Sequence, residues 1–271
     1  MRPPSTRLDL AARARLSVNA LVSSFKPEQC YAVTQTFQFD ALPPFDASPN
    51  WMPVKFLRAL PLVRRACGSD DRLDVERAAM EAVVAQIGED DQLYFPISAD
   101  GPPGDTAYPA MSGLAVLALL EWHDRDGDER WRDCAARLVN GLKRAAVDRG
   151  DYAFVPPECG RGRDGAWHWT LRGQGWPPGY IPYAPPQEPV AEQQGWEGAV
   201  KWEQSYVIKA MVRWYELTGD EAALDHAGRL VRFCLRPQLW DDGGPDSGAW
   251  SGHFHGNMGA LQALLAFCVF R

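Results

Sequence analysis

The strongest constraint on this chain is that it repeats itself. Residues 122–139 read WHDRDGDERWRDCAARLV, and residues 214–231 read WYELTGDEAALDHAGRLV. Aligned without a gap, they share Trp122/Trp214, Gly127/Gly219, Asp128/Asp220, Glu129/Glu221, Asp133/Asp225, Ala135/Ala227, Arg137/Arg229, Leu138/Leu230 and Val139/Val231. The shared glycine stands where a helix stops, because glycine accepts positive φ. The aspartate after it can cap the next helix, and the glutamate that follows suits a positive helix start. The chain is therefore expected to stack helical hairpins, each burying a face that it cannot cover alone.

A weaker third copy runs through Arg64-Arg65-Ala66-Cys67-Gly68-Ser69-Asp70-Asp71 into the helical stretch from Leu73 to Ile87. Ser69-Asp70-Asp71 reads as a helix cap. The loop glycines Gly68, Gly127 and Gly219 are 59 and 92 residues apart, and the second interval has room for a long loop. From Pro156 to Trp196 the chain holds eight prolines, seven glycines and four tryptophans, which no regular helix tolerates.

Helices are expected over 8–23, 52–67, 72–87, 109–123, 129–146, 198–217, 220–235 and 256–270. Val207, Ala210, Met211 and Trp214 illustrate the spacing, at i, i+3, i+4 and i+7. No strand pairs stand out, apart from a short strand over Tyr152-Ala153-Phe154-Val155. The linkers 40–50 and 96–109 read as exposed connections.

The chain has 271 residues, of which 46% are hydrophobic and 23% charged, so it can bury a core. The net charge is −7 and the 28 Lys and Arg residues are scattered, which argues against a nucleic-acid partner. Leu8 to Val22 carries Asp9, Arg13 and Arg15, so it lacks the apolar stretch of a signal peptide. No segment approaches the ~18–20 apolar residues of a membrane helix, and a cytoplasmic location is expected. The six cysteines form no CxxC, so reduced thiols are expected rather than a zinc knuckle.

With its LTGDEAALDHAGRL hairpin and long inter-hairpin loops, residues 50–271 resemble the (α/α)6-toroid proteins found among glycoside hydrolases, polysaccharide lyases and sugar epimerases. The nearest likeness is to the β-L-arabinofuranosidase-like (glycoside hydrolase 127-like) group. The resemblance implies an all-α fold, an incomplete α/α toroid in a single domain over 1–271. Only three hairpins and an opening helix are visible, and the sequence stops inside the apolar run Phe267-Cys268-Val269-Phe270, so a truncated C-terminus is expected. The adjacent cysteines of that group are absent here, and its zinc-associated cysteine chemistry is not carried over.

Three constellations could carry chemistry. Gly195-Trp196-Glu197-Gly198 leads into Trp202-Glu203-Gln204-Ser205-Tyr206, where the Pro-rich loop enters a helix. Glu203 shares a helical face with Val207 and Ala210 and should point inward. An inward carboxylate among aromatics can be pushed toward its acid form, which suits a general acid. Glu197, about 240° away if helical, would not face it; helix-end complementation and ion pairing are the structural alternatives for the two. Secondly, Trp167, His168, Trp169, Trp176, Tyr180 and Tyr183 offer flat faces for sugar rings, with Asp164, Arg163 and Gln174 to bond hydroxyls. The same aromatics could instead anchor the loop. Thirdly, His253 and His255 flank Phe254 at a loop-to-helix junction and suit hydroxyl contact better than metal, or a helix-capping role. Asp105 and Tyr108 precede the helix at 109, with Asp105 read chiefly as its N-cap. His123 and His226 are expected to be structural.

No GxxxxGK, GxGxxG or GxSxG occurs, so neither a nucleotide cofactor nor a serine hydrolase is expected. The leading reading is a carbohydrate-binding glycoside hydrolase without metal or cofactor, acting on a plant or microbial glycan. In it Glu203 is the acid/base with Glu197 or Asp164 as its partner. Trp167, Trp169, Trp176, Trp196 and Tyr206 join His168, His253 and His255 around the sugar. A non-catalytic sugar-binding or scaffold toroid is the alternative, and a terpene-cyclase-like toroid ranks last. The sequence does not choose an oligomeric state.

Overall fold

The computed structural model describes residues 9–33, 51–96, 103–107, 109–155, 159–162, 167–169, 199–240 and 254–270. Among them are the helices α1 (Leu10–Ser23), α2 (Trp51–Cys67), α3 (Leu73–Val84), α4 (Pro109–Asp126), α5 (Glu129–Ala145), α6 (Ala199–Thr218), α7 (Glu221–Cys234) and α8 (Phe254–Cys268). Every boundary falls within three residues of the span that apolar periodicity predicts.

The hairpin stop is the same device three times. Gly68, Gly127 and Gly219 have φ of +63°, +71° and +72°. Each donates its N–H to the carbonyl four residues back, at Arg64, His123 and Tyr215, over 2.7, 2.8 and 2.8 Å. No atom crowds the place of a Cβ at any of them, so glycine is needed for its backbone angle alone. The restarts differ. Asp128 caps α5 by accepting from the Arg130 N–H, and Asp220 caps α7 by accepting from the Ala222 and Ala223 N–H groups. In the first hairpin the expected acidic cap is absent: Arg72 is the N-cap, at φ 56° and without a side-chain bond to the helix's own backbone. Ser69 Oγ accepts instead from the Asp71 N–H inside the turn.

Contacts along the helices fix their directions. Gly113 of α4 lies against Tyr206 and Val207 of α6, and Asp124 pairs with Arg213 further along both. Gly259 of α8 lies against Trp202 and Ser205, and Phe270 beyond its end meets Tyr215. On α2, Lys55 faces Trp202, and Leu57 accepts from the Trp122 indole N–H at 2.9 Å. Thus α2, α4, α6 and α8 run parallel, with the hairpin glycines at one end and their own N-termini at the other. This is the α/α-toroid arrangement, and α3, α5 and α7 return outside it. The core is built on Trp122 and Trp131, edge-to-face at 5.2 Å, and on Phe154 stacked on Phe233 at 5.0 Å.

The repeat also holds its own connections. Arg137 of α5 donates to the Gly88 carbonyl and to Asp91, in the turn that follows α3. Arg229, its counterpart on α7, donates to Asp148 and to the Gly150 carbonyl, in the turn that follows α5. Asp91 stays below the usual carboxylate range: burial works against its charge, and hydrogen bonds from Arg144 and Arg137 outweigh it. At Gly141 the α5 backbone passes so close to this turn that an added Cβ would overlap the Asp91 carbonyl oxygen and stand 2.8 Å from Gln92 Nε2. Gly141→Ala gains helix propensity but must displace backbone. The expected net loss is about 1–3 kcal/mol, read as a lower urea midpoint at unchanged slope.

Six short strands among the described residues were not legible as pairs: β1 (Tyr94–Pro96), β2 (Pro103–Ala107), β3 (Val147–Asp148), β4 (Ala153–Phe154), β5 (Cys159–Gly162) and β6 (Trp167–Trp169). They form a four-stranded antiparallel sheet in the order β1-β2-β5-β6 and the hairpin β3-β4. Segments of two to five residues, rich in Gly and Pro, leave no alternating run to detect. Only β4 falls in the expected stretch 152–155. The connection 96–109 is not simply exposed, since it contains β2 and Ala107 is buried. Asp105 is corrected accordingly: it lies within β2 and is not the N-cap of α4.

Among the described residues, no helix is long and apolar enough to cross a membrane. Cys67, Cys134 and Cys234 are buried free thiols; Cys30 is half-buried and Cys268 exposed. His226, buried on α7, has an Nε2 without a hydrogen-bond partner among the described residues. Burial, helped by the charges of Arg229 and Lys143, pulls its pKa from 6.5 down to about 4. Between those values the unfolded chain carries the extra proton, so stability present above about pH 6.5 is lost as pH falls toward 4. The loss reaches about 3 kcal/mol. Urea unfolding of the native chain and His226→Gln at pH 7, 5 and 4 checks this, since the variant lacks that part of the slope.

Candidate functional site

The parallel helices bring four N-terminal ends to one rim. The first two turns of α6 sit there, and they carry the densest buried polar group among the described residues: Lys201, Glu203, Gln204 and Ser205, each no more than 2% exposed. An α6 that only packed would bury apolar residues here.

Each of these residues has a different neighbour. Gln204 accepts from the Val155 N–H at 2.8 Å and donates to the Val155 carbonyl at 2.7 Å. Both backbone groups of Val155 are thereby satisfied by one side chain, which ties the chain after β4 to the start of α6. Lys201 places its ammonium 4.2 Å from the centre of the Trp240 ring, and burial lowers its pKa. Ser205 donates to the Trp202 carbonyl. Gly113, where a Cβ would meet the Tyr206 backbone at 3.0 Å, lets α4 approach this turn.

Glu203 is 1% exposed, and Val207 and Ala210 on its helical face are fully buried, as the spacing predicts. Its charge acts on Tyr206, whose hydroxyl is pushed up to about 12 by burial first and by Glu203 in addition; Arg58 works the other way. The Trp202 and Tyr206 rings lie 5.9 Å apart. From α2, Lys55 stands 5.8 Å from the Trp202 ring, and from α6 itself Lys209 stands 5.2 Å from the Tyr206 ring. Burial lowers Lys55 to about 8. Lys209 falls to about 8 through burial and the Arg58 charge. Amines so shifted give up their proton far more readily than an exposed lysine, a property that collects at functional sites.

Of the residues singled out in the sequence, Glu203 and Tyr206 thus fall together on α6. His255 belongs to the first turn of α8, one turn before Gly259, which touches Trp202 and Ser205. Asp105 on β2 and Trp167, His168 and Trp169 on β6 share the four-stranded sheet, where Trp167 lies in the backbone row Tyr94–Ala107–Arg161–Trp167. Asp164, Glu197, Trp176, Trp196, His253 and Tyr108 lie outside the described residues, as do Arg163, Gln174, Tyr180 and Tyr183. Sequence reasoning missed Lys55, Arg58, Lys209 and Gln204. No local pattern marked the α6 members, because polar residues such as Lys201, Glu203, Ser205 and Arg213 are interspersed with apolar ones along the same helix. Among the described residues, no group of three or more His, Cys, Asp or Glu could hold a metal.

No family model and no curated protein matches the chain. Solved structures do. Over 98% of its length the chain is similar to the cellobiose 2-epimerase of Spirochaeta thermophila, with a TM-score of 0.61 and 13% identity. It is also similar to two family 76 glycoside hydrolases of Bacteroides thetaiotaomicron, an α-mannanase (TM-score 0.51, 14% identity, 83% of this chain) and a mannosidase (0.51, 11%, 96%). The chain spans 56% of the mannanase, 66% of the epimerase and 71% of the mannosidase. At these identities the likeness is one of fold.

Proposed function

We propose that the chain is a carbohydrate-active protein, a glycoside hydrolase whose sugar site lies at the rim where α2, α4, α6 and α8 begin. The observation that carries this reading is the buried Glu203 carboxylate beside Tyr206 and Trp202, on a fold whose solved relatives include a mannanase and a mannosidase. Hydrolysis of a glycosidic bond needs a proton donor at the leaving oxygen and a second carboxylate on the other side of the sugar. Glu203 is assigned the first role, and Asp164 or Glu197 the second. Aromatic faces from Trp202, Tyr206 and the Trp167–Trp169 strand would stack on the ring, with His168, His253, His255 and Asp105 bonding hydroxyls.

Isomerisation at a sugar carbon is a second reading, favoured by the fold match to the epimerase over nearly the whole chain. One assay separates the readings. The protein is incubated with mannan fragments, cellobiose and an aryl arabinofuranoside, the last testing the β-L-arabinofuranosidase-like kinship. New reducing ends support hydrolysis, and a changed sugar without new ends supports isomerisation. Binding without turnover leaves a sugar-binding toroid, and neither binding nor turnover across the panel overturns the carbohydrate reading.

A further inference from the structure

Between His255 and Arg271 the chain carries no charged side chain. One side of α8 accounts for part of this. Gly259 lies against Trp202 and Ser205 of α6, Ala260, Ala263 and Leu264 are buried, and Phe267 meets Gly228 of α7. The opposite side is as apolar and is not covered. Leu261, Leu265 and Val269, a row at every fourth residue, are 39%, 68% and 78% exposed, with Cys268 exposed beside them. Other outward faces are charged or mixed: α5 shows Glu129, Arg130 and Arg132, and on α1 the exposed Leu16 stands next to the exposed Arg15. A helix that is apolar on both sides belongs between two layers.

We infer that this face of α8 packs against the same face of a second copy of the chain across a two-fold axis, so that each α8 lies between its own α6 and the partner's α8. Two features of the molecule favour a second copy. The inner helices α4 and α6 each have an antiparallel neighbour outside them, α5 and α7. A two-fold axis crossing α8 brings the partner's α8 in antiparallel, in the corresponding place. The row is also complementary to itself. A two-fold contact sets a surface against its own copy, so charges of one sign would meet, and this face has none. Residues at every fourth position form a ridge that can interdigitate with another of its kind. The row is symmetrical about Leu265, so antiparallel alignment puts Leu265 on the axis and Leu261 opposite the partner's Val269. The two rims then open in opposite directions. One helix face is small beside the ~800 Å² per partner of a standard interface, and association is expected at about micromolar concentration. The inference is independent of the sugar reading.

Sedimentation velocity on the whole chain, from about 1 to 200 µM, is expected to show the mass passing from one copy to two. Leu265→Lys buries two like charges at the axis and should weaken association ~100-fold or more, as should Val269→Lys. Leu16→Lys, a comparably exposed leucine on α1, should leave it unchanged. Melting curves at the lowest concentration check that each variant is folded. About 1 M NaCl should not weaken the dimer, because no ion pair holds it. The register has its own test under mild oxidation. With Cys268→Ser in place, Leu265→Cys should give a disulfide-linked dimer, and Leu261→Cys should not, since no thiol faces it. A single-copy mass at every concentration overturns the inference and leaves the face to another partner. A dimer that survives both lysine variants lies elsewhere on the surface and overturns it equally. Linkage through the native Cys268 without linkage through Leu265→Cys would mean parallel helices and remove the proposed arrangement.

Discussion

Glu76→Ala is expected to cost the fold about 3–5 kcal/mol, enough to take much of the stability of an ordinary domain. Glu76 of α3 is fully buried, and its two oxygens are used separately. Oε2 accepts from Arg64 Nε of α2 at 2.6 Å, and Oε1 accepts from Arg125 Nη1 of α4 at 2.7 Å. One carboxylate thus joins a helix pair to the next inner helix. Arg64 goes on to donate to the carbonyls of Ser69 at 2.8 Å and Asp71 at 3.0 Å, which shapes the first hairpin turn. Arg125 lies 4.0 Å from the Trp122 ring, the core tryptophan of the repeat. Removing the carboxylate leaves the Arg64 guanidinium with backbone carbonyls alone and Arg125 with only Asp126, at 3.4 Å, to offset its charge. Urea unfolding should show the loss as a lower midpoint. Glu76→Gln should lose less, since it keeps one acceptor, but it cannot serve two cations. Replacing the triad together by Met, Leu and Met should recover only part of the loss, because the Ser69 and Asp71 carbonyls would then lack donors. A Glu76→Ala chain with an unchanged midpoint would mean that the two arginines are solvated elsewhere.

The contrast between the hairpins explains what could be read in advance. Helix ends are local chemistry: glycine at positive φ and an aspartate one residue later follow from a few bonds, so Gly127-Asp128 and Gly219-Asp220 were legible from the letters alone. The first hairpin shows the limit. Its glycine stop obeys the same rule, yet its restart is held by Arg64 reaching across the turn to a glutamate on the next helix, and no local pattern announces that. The sheet failed for a related reason. β2 pairs with β1 and with β5, over fifty residues further on, and a three-residue strand such as β6 has no period of its own. At the rim, Glu203 was legible because its helical face is otherwise apolar. Arg58 and Lys209 were not, because their meaning depends on α2 and α6 running parallel, which is a property of the ring. Gln204 looked like one more polar residue in the same turn until its two bonds to Val155 were seen.

That neighbouring pair gives the sharpest functional expectation. Glu203→Gln should lower kcat on the preferred glycan by ~10²–10⁴-fold, with ligand affinity little changed. The substitution keeps the shape of the side chain and its carbonyl acceptor, and it removes the proton that a leaving oxygen would need. An effect on kcat at constant KM is what the loss of a group acting in the transition state produces. A structural role predicts the reverse: Glu203 is almost fully buried, so a purely architectural carboxylate would show its removal as a lower melting temperature with catalysis intact in the folded fraction. Gln204→Leu is the control for damage to the same turn. It leaves both backbone groups of Val155 unpaired and should cost about 2–3 kcal/mol in stability. It also loosens the anchorage of α6 but removes no acid, so whatever turnover remains should keep the native pH profile. Glu203→Gln, by contrast, should erase the limb of that profile where activity falls as the general acid loses its proton. A Glu203→Gln protein that turns over its glycan at the native rate, with the native profile, would take Glu203 out of the mechanism and leave the rim as a binding surface only.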